Sequence, residues 1–393
     1  MGSVPLVKTG FGMTQSCPRS GPLRIGIDAR ELSGQPTGVG RVVAGLLTAW
    51  PEDDELLLYS RRPLPWEYLG GRRRSRVIPG PPRLPGSVWE QTLLPRRLRG
   101  DRVAALFSPA YSMPVLAPCG VVVGMHDCAW EARPWEFGWR QRWRRRWAAR
   151  SACRRAAFLL VGSRFSAAEV RHWYQVPSER IVTAPYGVGD AFRPVSDEHL
   201  ARVRTAHGLE GPALLFVGAP LGRRDVGGLI DAIVELRRDR PTLQLWIVGP
   251  ERRDSPRLRE LDAAASAAVR WLGYVPEQDL PAVYAAATVV AYPSAYEGFG
   301  LPVLEALACG TPVVASDAGS LSELFAGRAW LVDDRGESWR NALARLLDDA
   351  DERRRWVERA LPWAQRRDWG AAARLLRALL VEAAGDPANG SRR

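Results

Sequence analysis

Short apolar runs alternate with helical patterns along most of this sequence, and this alternation restricts the fold more than any other feature. The runs end at polar or glycine-rich turns, as in 23–29 (LRIGIDA), 121–127 (VVVGMHD) and 243–249 (LQLWIVG). A continuous apolar run of this length is typical of a strand buried on both faces, and strands that alternate with helices form parallel sheets. The sequence therefore predicts repeated βαβ units and an α/β fold.

The length of the chain, 393 residues, suits two domains, since a domain usually takes about 100–200 residues. A polar stretch near 193–203 separates two halves with the same pattern. We predict two doubly wound domains at 23–194 and 195–383, with a disordered leader at 1–22 and a disordered tail at 384–393. Ligands of such folds bind beyond the carboxyl ends of the strands, so two facing domains would form a site in the cleft between them.

The charge and the cysteines limit the class of protein. The net charge is +12, and Lys8 is the only lysine, so arginine carries nearly all of the positive charge. Such a surplus favours phosphates, anionic lipid or nucleic acid as partners. Five cysteines without a CxxC pattern exclude a disulfide framework or a zinc site and suggest a reducing cytoplasm. No apolar run reaches the ~18–20 residues of a membrane-spanning helix.

The segment 294–316 (SAYEGFGLPVLEALACGTPVVAS) carries the strongest chemical signal. Glu297, Gly298, Phe299 and Gly300 form a loop after a predicted strand, and a helix is expected to start at Leu301. Glycines allow close backbone approach, and the free N–H groups of a helix start favour a phosphate. Two carboxylates beside such a site suit the hydroxyls of a sugar or ribose. Glu297 lies in the loop, and Glu305 lies about one turn inside the helix.

This segment resembles the E-x7-E signature of retaining glycosyltransferases of family 4 (group 1 type), which have the GT-B fold of two Rossmann-like domains facing across a cleft. The resemblance extends over about 23–382 and is most specific at 297–323. It implies that Glu297 binds the donor sugar and Glu305 the ribose. It also implies a C-terminal helix that often packs back on the first domain.

A second segment, 216–233, resembles the family's strand, loop and helix that grip the donor diphosphate. Gly218 ends the strand, and Arg223 and Arg224 occupy the positions of an Arg–Lys pair. Arginine binds phosphate in a bidentate manner, whereas lysine is a point charge, so the replacement by Arg224 is not strictly equivalent. Ala219 stands where some members have a further arginine.

Two segments of the first half complete the resemblance. The histidine of MHDCAWEARPWEF (125–137), His126, corresponds to one that lies near the transferred sugar in relatives. The first turn, 28–42, resembles a glycine-rich loop in which Gly38 and Gly40 allow close approach of donor or acceptor. We expect the following helix to begin near Arg41.

The resemblance implies transfer of a hexose, with mannose favoured and GDP-mannose as donor, to a hydroxyl of a glycan, lipid or secondary metabolite. It implies retention of configuration and no cofactor. No metal is expected, because arginines would replace the cation. Two alternatives stay open: a non-catalytic partner subunit of the same fold, and a sugar-nucleotide epimerase.

The stretch 135–147 (WEFGWRQRWRRRW) fits two interpretations. Tryptophans at steps of four form one stripe on a helix, with arginines on the remaining faces. Either the tryptophans pack on the core, or the helix docks on anionic lipid and places the protein on the inner face of the membrane. We do not expect nucleic acid as a partner, because no nucleic-acid motif accompanies the charge.

Overall fold

The computed structural model describes residues 23–34, 37–51, 54–65, 73–79, 83–251, 261–333 and 336–385. The predicted leader 1–22 and residues 386–393 of the predicted tail lie outside the described residues.

The described residues form two parallel sheets, one in each half of the chain. The first contains β1 (Arg24–Asp28), β2 (Glu55–Ser60), β3 (Arg73–Val77), β4 (Ala105–Ser108), β5 (Gly120–Gly124), β6 (Phe158–Val161) and β7 (Ile181–Thr183). The second contains β8 (Ala213–Val217), β9 (Gln244–Val248), β10 (Val269–Gly273), β11 (Val289–Tyr292), β12 (Val313–Ser316) and β13 (Trp330–Val332).

Helices connect these strands in the βαβ manner. Those of the first half are α1 (Gly38–Thr48), α2 (Gly86–Gly100), α3 (Ala129–Ala132), α4 (Trp139–Arg155) and α5 (Arg164–Tyr174). Those that follow are α6 (Asp197–His207), α7 (Val226–Leu236), α8 (Ala263–Ala268), α9 (Leu280–Ala286), α10 (Leu301–Ala308), α11 (Ser320–Phe325), α12 (Glu337–Asp348), α13 (Ala350–Gln365) and α14 (Gly370–Gly385).

Both sheets have the doubly wound strand order. The first runs β3-β2-β1-β4-β5-β6-β7 and the second β10-β9-β8-β11-β12-β13, with every pairing parallel. In each sheet the direction of progression reverses beside the first strand, which places the switch points at β1/β4 and β8/β11. A crevice opens at such a point because the connecting helices leave on opposite faces. The predicted fold, two doubly wound α/β domains, is confirmed.

The strand β3 is a difference from the sequence prediction. Its residues, RRSRV, lack the apolar run that marks the buried strands. It pairs with β2 alone, at the edge of the sheet, where water replaces one neighbour and charged side chains are tolerated. An edge position therefore explains why apolar patterning could not predict it.

The C-terminal helix α14 returns to the first domain, where it packs on β4, β5 and α1. Asp54 and Arg377 join the two parts through an ion pair of 2.7 Å between Oδ2 and Nε. Gly120 lies so close to α14 that a Cβ atom would stand 2.1 Å from the Ala383 carbonyl oxygen. The second half of the chain therefore supplies part of the core of the first. Within the described residues, no helix combines the length and apolar character needed to cross a bilayer.

Candidate functional site

A cleft of about 1670 Å³ separates the two domains at the carboxyl ends of both sheets. Ten of the twelve residues that the sequence predicted for the site line it. They are Gly38, His126, Gly218, Arg223, Arg224, Glu297, Gly298, Phe299, Gly300 and Leu301. The other two, Gly40 and Glu305, are buried beside it. The loops after β8 and β11 flank the switch point of the second sheet, which is why their residues meet.

Glu297 is buried and receives three donors on one carboxylate oxygen. Oε1 accepts from Arg224 Nε at 2.7 Å, from Ser294 Oγ at 3.0 Å and from the Tyr292 hydroxyl at 3.1 Å. None of these contacts uses Oε2. One half of the carboxylate is therefore held by the protein, and the other half takes no part in that anchoring.

The charges of Glu297 and Arg224 stabilise each other. Burial by itself opposes both charges: it raises the pKa of the carboxyl and lowers that of the guanidinium. The attraction between the two groups is stronger, so the pKa of Glu297 lies below its usual value and the pKa of Arg224 above it. The cleft therefore holds a fixed positive group next to a fixed carboxylate at neutral pH.

The turn after β8 is built to bring Arg224 to this carboxylate. Gly218 has φ +139°, and a Cβ atom there would stand 2.7 Å from Arg224 Nη1. The Ala219 carbonyl oxygen accepts from the same nitrogen at 3.3 Å. Only glycine combines this backbone angle with this free space.

Arg223 is a largely buried cation of the cleft with an unused donor. Its Nη1 lies 3.4 Å from Glu136 Oε2 of the first domain, and its buried Nε donates to no group in the described part of the chain. Burial lowers the pKa of Arg223, but Glu297 and Asp127 raise it more, so the pKa lies above its usual value. A buried charged donor without an acceptor is costly, and an anionic ligand would supply the missing acceptor. The Arg223 carbonyl also accepts from Ala295 N at 2.8 Å, which joins the two loops.

The start of α10 opens on the same cleft. Gly300 is its N-cap with φ +94°, and no side chain caps the helix. Leu301 and Pro302 form the first turn, and both line the cleft. Pro302 has no N–H and Val303 N donates to the Gly300 carbonyl oxygen at 3.0 Å, so the Leu301 N–H and the positive end of the helix dipole are what favour an anion here.

Gly298 ties this loop to the first domain. A Cβ atom at this position would stand 1.7 Å from the backbone oxygen of His126, which makes any side chain impossible without movement. The Gly298 carbonyl accepts from Ser163 Oγ at 2.7 Å and from Ser166 Oγ at 3.1 Å. The glycine therefore serves contact between domains at the edge of the cleft.

The His126 ring is held by two groups. Its Nε2 lies 2.7 Å from the Pro109 carbonyl oxygen, which can only accept, so Nε2 carries the proton. Nδ1 then accepts from the Tyr186 hydroxyl at 3.2 Å. Burial lowers the pKa of His126, and the Pro109 carbonyl and Asp127 offset this only in part. The ring is a neutral, oriented wall of the cleft.

Glu305 makes an ion pair that the sequence did not indicate. Its Oε1 lies 2.6 Å from Arg41 Nη1 of the first domain, and its Oε2 accepts from the Tyr284 hydroxyl at 2.8 Å. Both oxygens of Glu305 are thus engaged. Arg41 lines the cleft, whereas Glu305 is buried behind it. The role of Glu305 toward a ribose remains a prediction.

The first turn also differs from the expectation. Helix α1 begins at Gly38 and not near Arg41, because Thr37 Oγ1 caps it by accepting from Gly40 N at 2.9 Å. Gly40 packs against the first loop, since a Cβ atom there would stand 2.5 Å from the Glu31 carbonyl oxygen. Only Gly38 of the two glycines therefore faces the cleft.

Sequence reasoning missed a second charged group on the first-domain side. Arg30 donates to Asp28 Oδ2 at 2.6 Å and also pairs with buried Glu90. Burial raises the pKa of Glu90, and the attraction of Arg30 offsets this only in part. Asp28 and Arg30 sit at the end of a strand, which is a signal for a site, but nothing local indicates Glu90. In the described residues no group of three or more His, Cys, Asp or Glu side chains could hold a metal ion.

Solved structures with this architecture include a glycosyltransferase and a protein solved with UDP and glucose. The chain of HepE from Anabaena, solved with UDP and glucose, is 20% identical with a TM-score of 0.73, over 92% of this chain and 100% of that one. WaaG, a glycosyltransferase involved in lipopolysaccharide biosynthesis, is 18% identical with a TM-score of 0.71, over 91% of this chain and 99% of that one. Together with the facing sheets, these likenesses define the GT-B fold of glycosyltransferases.

Two family profiles divide the chain between them. Glycosyltransferase Family 4 matches 36–192, and Glycosyl transferases group 1 matches 198–363. The chain belongs to this group 1, family 4 type of GT-B glycosyltransferases, as the sequence resemblance implied.

Named relatives match over part of the chain. "O-antigen chain mannosyltransferase B" of Escherichia coli is 38% identical over 184 residues, which are 46% of this chain and 48% of that protein. "D-inositol 3-phosphate glycosyltransferase" of Corynebacterium urealyticum is 34% identical over 235 residues, 56% of this chain and 55% of that protein. The chain thus matches about half the length of these relatives.

Proposed function

We propose that this protein transfers a sugar from a nucleoside diphosphate sugar to an acceptor hydroxyl. One observation carries the proposal: the unused buried donor of Arg223, the guanidinium of Arg224 and the uncapped start of α10 converge on the cleft that also contains Glu297. Three positive features beside one anchored carboxylate match a diphosphate joined to a sugar.

The chemistry follows from the charge that develops in such a reaction. As the glycosyl bond breaks, positive charge forms at the anomeric carbon and negative charge on the leaving phosphate. Arg223, Arg224 and the helix start would stabilise the phosphate, and they are already oriented, so no reorganisation is required during the reaction. Glu297 would hold the sugar hydroxyls and orient the anomeric carbon.

For the finer assignment we propose GDP-mannose or a related hexose donor, with retention of configuration. Similarity to the mannosyltransferase of Escherichia coli supports mannose, and the family resemblance supports retention. We propose that Arg223 and Arg224 neutralise the diphosphate in place of a metal ion. The four described cysteines are free and buried, which supports a cytoplasmic reaction.

Donor binding provides the first test. GDP-mannose at a hundred times its Kd would stabilise the fold by about 2.7 kcal/mol, visible as a rise in Tm. Arg224→Ala is expected to abolish this rise and to lower kcat/KM for transfer by about 10²–10³-fold, since it removes an oriented charge. Arg223→Gln should act similarly, although its single ion-pair contact makes it less disruptive to folding. The matched control is Arg238→Ala, an exposed arginine in the turn after α7.

Three results would contradict the proposal. The first is no Tm rise with any GDP- or UDP-sugar, and the second is undiminished transfer by folded Arg224→Ala. The third is an epimerised donor formed without acceptor, which would identify the protein as an epimerase instead.

A further inference from the structure

Three exposed tryptophans, Trp139, Trp143 and Trp147, form a stripe along the beginning of α4, and a fourth, Trp135, lies in the short 3-10 turn just before this helix. Trp135, Trp139, Trp143 and Trp147 are 71%, 75%, 68% and 53% exposed. These side chains are among the largest apolar groups in proteins, and a contiguous exposed apolar surface marks an interaction site. The interpretation in which these tryptophans pack on the core is therefore wrong.

The flank of the helix beside the stripe is anchored, so the outward direction of the stripe is a fixed feature. Arg142 Nε donates to the Trp130 carbonyl at 3.1 Å. Arg146 Nε lies 3.0 Å from Glu131 Oε1, and the Arg145 guanidinium lies over the ring of Phe137. Three arginines of the helix thus bind the first domain.

Other arginines flank the stripe and point to an anionic partner. Arg140 lies over the ring of Trp139 at 5.0 Å. Arg144 and Arg150 are exposed and make no ion pair or hydrogen bond within the described part of the chain. The neighbouring acids, Glu131 and Glu136, are buried or half-buried and paired with arginines. The outer face is therefore both apolar and positively charged.

This face continues into the cleft. Arg144 and Trp147 line the cleft together with residues of both domains. A surface that binds through the tryptophans would consequently lie beside the opening of the proposed active site.

We propose that this tryptophan–arginine face (Trp135, Trp139, Arg140, Trp143, Arg144, Trp147 and Arg150) docks on an anionic lipid bilayer. Tryptophan has an apolar body and a polar N–H and prefers the headgroup level of a membrane. Arginines beside it are attracted by anionic headgroups. The docked helix lies in the plane of the interface and holds the opening of the cleft at the bilayer surface.

Vesicle binding of the full chain tests this without any donor or acceptor, so the result is independent of the proposed transfer reaction. We expect co-sedimentation with vesicles of phosphatidylglycerol and phosphatidylcholine, and far less with phosphatidylcholine alone. Arg140→Glu should weaken binding by at least about fivefold, and the matched control Arg238→Glu should not. The double variant Trp139→Ala/Trp143→Ala should weaken it by about tenfold or more while Tm stays unchanged, because both side chains are exposed.

The proposal is overturned if the chain ignores anionic vesicles, or if both α4 variants bind them as the parent does. A self-associated form that depends on Trp139 and Trp143 and does not bind vesicles would also overturn it, and would identify a contact between copies.

Discussion

At the scale of single residues, the site depends on how buried charges are compensated. Glu297 keeps its negative charge because Arg224, Tyr292 and Ser294 all donate to one oxygen. Arg223, a neighbour along the chain, has a donor left over. The two adjacent arginines therefore differ in their contacts: Arg224 is bonded to the carboxylate, whereas Arg223 keeps an unused donor.

The buried His126 ring predicts how the stability of the protein depends on pH. Its folded-state pKa lies below the unfolded value of 6.5 because the ring is buried. His126 therefore binds a proton more readily in the unfolded chain than in the folded chain. As a result, the free energy of unfolding should fall as the pH drops below about 6.5. One such proton contributes a slope of at most about 1.4 kcal/mol per pH unit.

Chemical denaturation at several pH values between 7 and 5 measures this slope, because histidine titrates in this range. His126→Gln should flatten the curve, because glutamine can still donate to Pro109 but cannot titrate. The matched control is His172→Gln, at an exposed histidine outside the cleft. Equal slopes in the parent and in His126→Gln would refute the assignment.

At the scale of secondary structure elements, helix ends decide what meets at the cleft. The start of α10 has no side-chain cap and faces the cleft, whereas the start of α5 is capped by Ser163 and additionally by Glu323 from the second domain. Glu323 accepts from Arg164 N at 3.0 Å and from Phe165 N at 2.8 Å. The Glu323 carboxylate therefore caps a helix of the other domain.

Removal of this cap gives a prediction for the helix α5. Glu323→Ala should lower the free energy of unfolding by about 0.5–2 kcal/mol, because two N–H groups and the helix dipole lose their carboxylate. The control Glu358→Ala removes an exposed carboxylate from α13 and should change stability by less than about 0.5 kcal/mol. Urea denaturation compares the two, and an equal effect of both would contradict the capping role.

At the scale of the whole molecule, contacts between distant segments set the geometry of the cleft. Arg41 and Glu305 pair across it, and the Ser163 and Ser166 hydroxyls bind the Gly298 loop. Helix α14 also connects the two domains, because it follows the second domain in the chain and packs in the first. We call this connection the strap. The two domains thus have a shared core and a shared site.

The strap can be tested through its ion pair. Among the described residues, Arg377→Ala leaves the buried Asp54 carboxylate with the Leu23 N–H and the Trp50 indole as its donors. Breaking a buried pair in this way should cost about 3 kcal/mol. Arg374→Ala, on the exposed side of the same helix, should cost little.

Urea denaturation again provides the measurement, followed by fluorescence of the tryptophans in both domains. We expect a lower midpoint for Arg377→Ala only. A parent-like midpoint for this variant would show that the strap is held by apolar packing alone.

Local patterns were sufficient for the fold and for most of the cleft lining. Buried strands are apolar runs, and glycines and prolines mark the turn before α10, so 294–302 could be placed from neighbouring residues alone. The edge strand β3 was not predicted, because its position beside β2, and not its composition, makes it a strand. The packing of Gly40 could not be predicted because it depends on a contact with the loop before α1.

The sequence by itself determined two doubly wound domains, their order and the loops that carry the arginines and the first carboxylate, because periodicity and turn residues act over a few neighbouring positions. Only the tertiary structure decided which charges pair and which stay available. Arg41 and Glu305 are 264 positions apart, and no local pattern records their contact. It also decided that the tryptophans of α4 face outward, since a helical stripe has the same spacing whether its partner is the core or a membrane.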